Sequence, residues 1–107
     1  MTPLQNKTYK LLKTVPRGRV TTYKALANAL GTKAYRAIGQ FMRTNPYAPT
    51  VPCHRVVASD GTIGGFMGHT NGKEIAKKIR MLRAEGVKVV QNRITDFPGV
   101  LFLFPRF

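Results

Sequence analysis

The sequence predicts a mainly α-helical chain with a small β element, and three observations carry that prediction. Apolar residues recur at helical spacing from Leu4 to Met42, broken at Pro16-Arg17-Gly18 and again at Gly31. β-prone runs are short and confined to Val56-Val57, Thr62 to Phe66 and the tail beyond Gly86. The segment across Gly31 joins a short helix to a second one with a basic outer face, which is the pattern of a helix-turn-helix reader. A hairpin from Val56 to Phe66 would supply a wing. The expected architecture is therefore a winged helix-turn-helix of three to four helices, a fold that binds DNA.

Each element has a local cause. Thr2 is a candidate N-cap, Pro3 suits the first helical position and Gln5 completes a capping box, so a helix starts there. Leu4, Leu11, Leu12 and Val15 fall on its apolar face, and Pro16 and Gly18 stop it. Thr21 or Thr22 caps a second helix, with Tyr23, Leu26, Ala27 and Leu30 at i, i+3, i+4 and i+7, ended by Gly31. A third helix is expected from Lys33 to Arg43, apolar through Ala34, Ala37, Ile38, Phe41 and Met42, and polar through Lys33, Arg36, Gln40 and Arg43. Three prolines between Asn45 and Pro52 predict extended chain. Asp60-Gly61 predicts a turn from which Thr62 to Phe66 returns beside Val56-Val57. A fourth helix is expected from Gly72 to Ala84, burying Ile75, Ile79 and Leu82 and ending at Gly86. The tail holds two β-prone stretches, Val87 to Val90 and Val100 to Phe104, split by Pro98-Gly99.

Composition narrows the function. The chain has 107 residues, enough for one domain with one modest core. Lys and Arg number 18 against 4 Asp and Glu, a net charge of +14, and no acidic residue precedes Asp60. Such a charge repels itself unless a polyanion neutralises it. Nucleic acid is the first candidate and an anionic membrane surface the second. The longest apolar run, Val100 to Phe104, is far too short to span a bilayer, and the N-terminus lacks the apolar core of a signal peptide. One cysteine forms no internal disulfide, which favours a reducing, cytoplasmic setting. One cysteine and two histidines are too few for a zinc finger, so no metal is expected.

That lone cysteine sits in Pro52-Cys53-His54-Arg55-Val56. A thiol is a strong nucleophile only as thiolate, and a neighbouring imidazole or cation makes thiolate available. Pro52 stiffens the approach and Arg55 adds positive potential. Adjacent residues of a strand point to opposite faces, so a turn or a bridging water is needed to couple Cys53 to His54. Read from these two residues alone, a buried inert cysteine beside a surface histidine is the plainer account. Tyr23 likewise fits the apolar stripe of the second helix.

The wider text changes that reading. Gly18-Arg19-Val20-Thr21-Thr22-Tyr23, Tyr35-Arg36-Ala37-Ile38-Gly39, Asn45-Pro46, Pro52 to Val56, Ser59-Asp60-Gly61, Gly64-Gly65-Phe66 and Glu85-Gly86, in that order, closely resemble the O6-alkylguanine-DNA alkyltransferases. The resemblance runs from Leu4 to Val87, the C-terminal DNA-binding and active-site domain of that family. It divides the single domain 1–107 into a family core, 1–86, and the β-prone tail, 87–107.

The resemblance implies that Cys53 takes the alkyl group from guanine O6, that His54 draws the thiol proton through a water, and that Glu85 orients His54. Glu85 also stands out from composition, as one of four acidic residues and as a carboxylate placed against the dipole of a helix end. Tyr23 would lie beside the extruded base and hydrogen-bond guanine N3. Arg36 would fill the gap left in the stack. Ala34, Tyr35 and Gly39 would face the minor groove. Thr22, Lys24, Gln40 and Ser59 complete the implied DNA-binding set, with Ser59 on a phosphate. Asn45 would brace the turn between recognition helix and active-site strand. The carbonyls of Cys53 and Val56 would accept from the guanine amino group, and the Met67 N–H would donate to O6. No cofactor is implied. The partner is double-stranded DNA carrying O6-alkylguanine, met in the minor groove by a monomer without a membrane.

Three departures bear on that expectation. The family carries an N-terminal domain of strands and helices that this sequence lacks, and the apolar tail is expected to cover the surface that domain covers, so that removing Asp96 to Phe107 destabilises the fold. Tyr35 stands where a small residue is usual. Phe66-Met67-Gly68-His69 replaces an aromatic-small-Gly-Gly stretch, and Met67 is expected to narrow the alkyl pocket. Two other readings compete with alkyl transfer. One is a lesion-binding alkyltransferase-like protein, whose relatives also lack the N-terminal domain but carry tryptophan or another non-cysteine at the reactive position. The other is a plain winged-helix transcription factor, which leaves Pro52-Cys53-His54-Arg55 without a purpose.

Overall fold

The computed structural model describes residues 1–105, so Arg106 and Phe107, the last residues of the expected tail deletion, lie outside the described residues. Helix α1 spans Pro3–Leu12, capped by Thr2, whose Oγ1 accepts the Gln5 N–H at 3.1 Å. The capping box is only half formed, because the Gln5 side chain donates instead to the Tyr9 hydroxyl at 3.2 Å. Thr22 is the cap of α2, Tyr23–Ala29, its Oγ1 accepting from the Ala25 N–H at 3.0 Å. Gly31, at φ +67°, makes the turn into α3, Tyr35–Arg43. Helix α3 starts two residues later than the pattern suggested, because Thr32 Oγ1 takes the Ala34 N–H and leaves Ala34 as the flanking residue.

These three helices pack around Leu12, Val15, Leu26, Ala27 and Ile38, all essentially solvent-free. Against them lies strand β1, Thr21–Thr22, paired in parallel with β2, Val56–Val57, in the register Thr21 to Val56 and Thr22 to Val57. Helix α4, Lys73–Ala84, begins after Gly72 at φ +81° and buries Ile75, Lys78 and Leu82, with Ile79 half-buried. No helix among the described residues is long and apolar enough to cross a membrane.

Three local expectations are corrected. Residues 45–52 fold into successive turns rather than extended chain, because Asn45 binds the segment at both ends: Nδ2 donates to Val51 O at 2.8 Å and Oδ1 accepts the Tyr47 N–H at 3.0 Å. Thr62 to Phe66 does not return as a hairpin on β2. The Ala58 N–H reaches Thr62 O at 3.0 Å, but beyond it the chain turns away, Thr62 bridging Arg93 and the Ile63 N–H bonding Asn92 O. The antiparallel hairpin of this fold comes from the tail: β3, Val89–Val90, pairs with β4, Arg93–Ile94, across Gln91 and Asn92, both at positive φ as a tight two-residue turn requires.

Pro98 and Gly99 do not split the tail. They sit inside a single-turn helix α5, Phe97–Val100. The last stretch runs beside Val20, whose N–H bonds Val100 O while its carbonyl accepts from Phe102, and Arg19 donates to the carbonyls of Val100 and Leu101. The tail is thus fastened to the segment that leads into β1 and the second helix.

Candidate active site

Cys53 and His54 lie in a single 3-10 turn, Cys53–Arg55, between the Asn45-braced segment and β2. The turn sends the two side chains different ways: Cys53 lines a cavity and His54 turns to Glu85. The Cys53 N–H bonds Val51 O at 2.9 Å, so the amide of Asn45 and the amide of Cys53 share one acceptor. Cys53 is buried within the protein yet lines a cavity of about 220 Å³ together with Tyr23, Arg43, Met67, Gly68 and His69.

Glu85, the C-cap of α4, gathers the rest of the turn. His54 Nε2 lies 3.0 Å from its Oε2. Arg55 holds the same carboxylate in a fork, Nε to Oε1 at 2.9 Å and Nη2 to Oε2 at 2.7 Å, while Nη1 donates to Val15 O at 2.9 Å. Burial raises the Glu85 pKa, but the hydrogen bonds from Arg55 and His54 more than reverse it, and the group ends below its ordinary value. An ionised carboxylate accepts only, so Nε2 of His54 carries its hydrogen and Nδ1 holds the free lone pair. Burial lowers the His54 pKa, with Glu85 opposing, which leaves the imidazole neutral near pH 7 and able to take a proton.

Burial also raises the Cys53 pKa, opposed by the Asn45 amide and the Lys78 ammonium. The resting pair is therefore thiol and neutral imidazole, not a preformed thiolate and imidazolium.

Lys78 was not among the residues the sequence singled out. It is fully buried, and its Nζ donates to Val56 O at 2.8 Å, to Gly65 O at 2.9 Å and to Ile63 O. Three acceptors match the three donors of an ammonium. Burial draws its pKa from 10.5 to about 7, with Cys53 pulling it back up. This one side chain ties β2 to the loop that walls the cavity. The signal was present: Ile75, Lys78, Ile79 and Leu82 stand at i, i+3, i+4 and i+7, which places a lysine on the apolar stripe.

The structure brings Tyr23 and Met67 to the cavity with Cys53, and Gly39 borders it. Arg36, Gln40, Tyr35, Lys24 and Ser59 are exposed and Ala34 is half-exposed. Thr22 is buried, and its oxygen accepts the capping bond from the Ala25 N–H. Neither Val56 nor Asn45 lines the cavity. Val56 is fully buried and its carbonyl accepts from Lys78, while the Asn45 amide bonds Val51 O and favours the ionised Cys53 thiol.

The model of the 6-O-methylguanine DNA methyltransferase DNA-binding domain matches residues 3–87. The chain belongs to that family. It is 48% identical over 89 residues to the methylated-DNA–protein-cysteine methyltransferase of Thermococcus kodakarensis, covering 82% of this chain and 47% of that protein. The chain thus spans about half the length of that curated relative. The crystal structure of the O6-methylguanine-DNA methyltransferase of Pyrococcus kodakaraensis superposes with a TM-score of 0.70 at 48% identity, over 81% of this chain and 48% of the other. S. pombe Atl1, in complex with damaged DNA containing O6-carboxymethylguanine, superposes with a TM-score of 0.82 at 27% identity, over 95% of this chain and 96% of that one. Family membership agrees with the helix-turn-helix built from α2 and α3.

Proposed function

We propose that the chain repairs DNA by moving an alkyl group, methyl foremost, from guanine O6 to Cys53 in a single turnover. The observation that carries this reading is the presence of Cys53 and Tyr23 on one cavity, with the residue after Cys53 bonded to a half-buried carboxylate. The thiol proton passes to His54 Nδ1 through a water. The sulfur attacks the alkyl carbon, the S–C bond forms as the C–O6 bond breaks, and the electron pair leaves with guanine. The Tyr23 hydroxyl donates to guanine N3, and the Met67 N–H to O6. Glu85 and Arg55 hold the imidazole in its working tautomer. A thioether has no ready leaving group, so the chain reacts once.

The substrate is duplex DNA with the damaged base swung out, which costs a few kcal/mol and least at a poorly paired lesion. Helix α3 enters the minor groove through Ala34, Tyr35 and Gly39, with Arg36 filling the stack and Lys24, Gln40 and Ser59 on the backbone. Met67 restricts the alkyl group to small ones. The tail works together with the 1–86 core, and the protein acts inside the cell on DNA as a monomer.

A second reading is favoured by one observation: S. pombe Atl1 matches this chain over nearly its whole length. On that reading the chain binds O6-alkylguanine and recruits other repair factors without transfer. Mixing the protein with O6-methylguanine duplex and weighing it separates the two. A gain of one methylene on the Cys53 peptide, absent in Cys53→Ala, is the expected result. Tight lesion binding with no gain in mass replaces transfer with recruitment.

A further inference from the structure

A groove of about 490 Å³ runs along α1 and shares no residue with the smaller cavity at Cys53. Asn6, Tyr9, Lys10 and Lys13 fall at i, i+3, i+4 and i+7 and make one wall, a stripe beside the one that buries Thr8 and Leu12. Tyr47, Thr50 and Val51 make the other. The buried Tyr9 is fixed by its hydroxyl, which donates to Phe41 O at 2.8 Å, and its ring meets Tyr47 edge-on at 5.9 Å. Tyr47 itself is 50% exposed, with the exposed Met1 beside its hydroxyl. Among the described residues neither lysine has an ion-pair partner, and the chain holds no carboxylate before Asp60.

We propose that this groove holds a single strand of nucleic acid, with phosphates against Lys10 and Lys13 and a base against the Tyr47 ring. Cations lining a concave track beside an accessible aromatic ring are the chemistry of single-strand binding, where bases stack on the ring and phosphates meet the cations. A duplex backbone presents phosphates without a free base face and leaves Tyr47 idle. An acidic peptide satisfies the lysines but has no planar group for the ring. The inference rests on the proposed function, in which α3 meets the duplex: a strand continuing from that duplex is then held near the groove at a high effective concentration, and weak contacts suffice. The groove also adjoins the reactive turn, since the Val51 N–H bonds Tyr47 O at 3.0 Å and Val51 O receives the Cys53 N–H.

The test uses the full chain saturated with an unlabelled duplex hairpin, to which a dye-labelled twelve-residue thymidine oligonucleotide is added and followed by anisotropy. The oligonucleotide is expected to bind the preformed complex. Lys10→Gln with Lys13→Gln should weaken it at least tenfold and flatten its salt dependence by about 0.7 for each lysine. Tyr47→Ala should weaken it and Tyr47→Phe should not. Hairpin binding and methylation of Cys53 should stay unchanged in all of these variants. Loss of oligonucleotide binding once the hairpin is bound, indifference to the lysine pair, or equal displacement by a polyglutamate peptide overturns the proposal. Because methylation is read separately, a failure here is distinct from a failure of alkyl transfer.

Discussion

Two regions meet at Cys53, and they are built in opposite ways. On one side the Cys53–Arg55 turn is locked by charge: a single carboxylate, Glu85, takes three hydrogen bonds from His54 and Arg55. On the other, the Gly64 to Thr70 loop has few side-chain anchors of its own. Met67 and Gly68 sit at φ +51° and +83° in a two-residue turn closed by reciprocal bonds between Phe66 and His69. Lys78 fastens this side from below through the carbonyls of Ile63 and Gly65. Under the proposed function the charge-locked side would handle the proton and the loop would choose the substrate, the common division between scaffold and loop.

The contrast is broken most severely by Glu85→Gln. It leaves the half-buried Arg55 guanidinium without its counter-ion and weakens charge-assisted hydrogen bonds worth about 1.5–3 kcal/mol each. His54 loses the group that fixes its tautomer. Transfer to Cys53, timed by mass spectrometry, should fall at least about 100-fold, the lower end of what a positioned base contributes. Hydrogen exchange in the 63–70 loop should barely change. Wild-type transfer rates in this variant would remove Glu85 from the mechanism.

Lys78→Met attacks the other side. It strips three carbonyls of their Lys78 donor, and the two buried ones, of Val56 and Ile63, cost about 1–3 kcal/mol each when left unpaired. The loop is expected to open so that those carbonyls reach water. Amide exchange across 63–70 should rise sharply, and transfer should slow roughly 10-fold as the cavity loses its wall, an effect on the order of 1.4 kcal/mol. The thiol also loses a cation that favours its ionised form. A loop as protected in Lys78→Met as in the wild type would show that the lysine does not hold it.

The two sides also differed in how legible they were in the sequence. Thr2-Pro3, Thr22 and Gly31 announce the ends of the first helices, because capping is a local interaction and leaves a local trace. Cys53, His54 and Glu85 stood out because cysteine and acidic residues are so few here. The Arg55–Glu85 fork did not, since nothing local links residues 30 apart. Lys78 hid among Lys73, Lys77, Arg80 and Arg83, which line the solvated faces of the same helix. The strand pairing failed for a related reason. Thr62 to Phe66 has the composition of a returning strand, but its partner is chosen by the tail hairpin, through Asn92 and Arg93, far along the chain.

Selection by the loop is tested by Met67→Gly. Glycine adopts the positive φ without penalty, so the variant should fold at least as well, relieving about 1 kcal/mol of backbone strain. Removing a 40% exposed side chain from the cavity rim should speed reaction with O6-benzylguanine relative to O6-methylguanine by about 10-fold, the scale on which apolar pockets discriminate. Methyl transfer should change little. If the wild type already reacts equally fast with both, Met67 restricts nothing.

The smallest effect is the most discriminating, because the two sides push His54 in opposite directions. Burial holds its pKa below 6.5, so across the interval beneath 6.5 the unfolded chain binds a proton that the folded chain refuses. Stability should therefore begin to decline below about pH 6.5 and level off once the pH has passed the folded value, whereas transfer, which needs the folded imidazole neutral, should hold until the pH nears that lower value and fall beneath it. Glu85 raises that value and Lys78 lowers it. The acid limb of the rate profile should accordingly move to lower pH in Glu85→Gln and to higher pH in Lys78→Met, whatever the overall loss of rate in each. Limbs that move in the same direction, or not at all, would mean that the imidazole is not the group whose protonation stops the reaction. The thiol's own raised pKa would then set the pH dependence, and the locked side of the site would serve only to shape the turn.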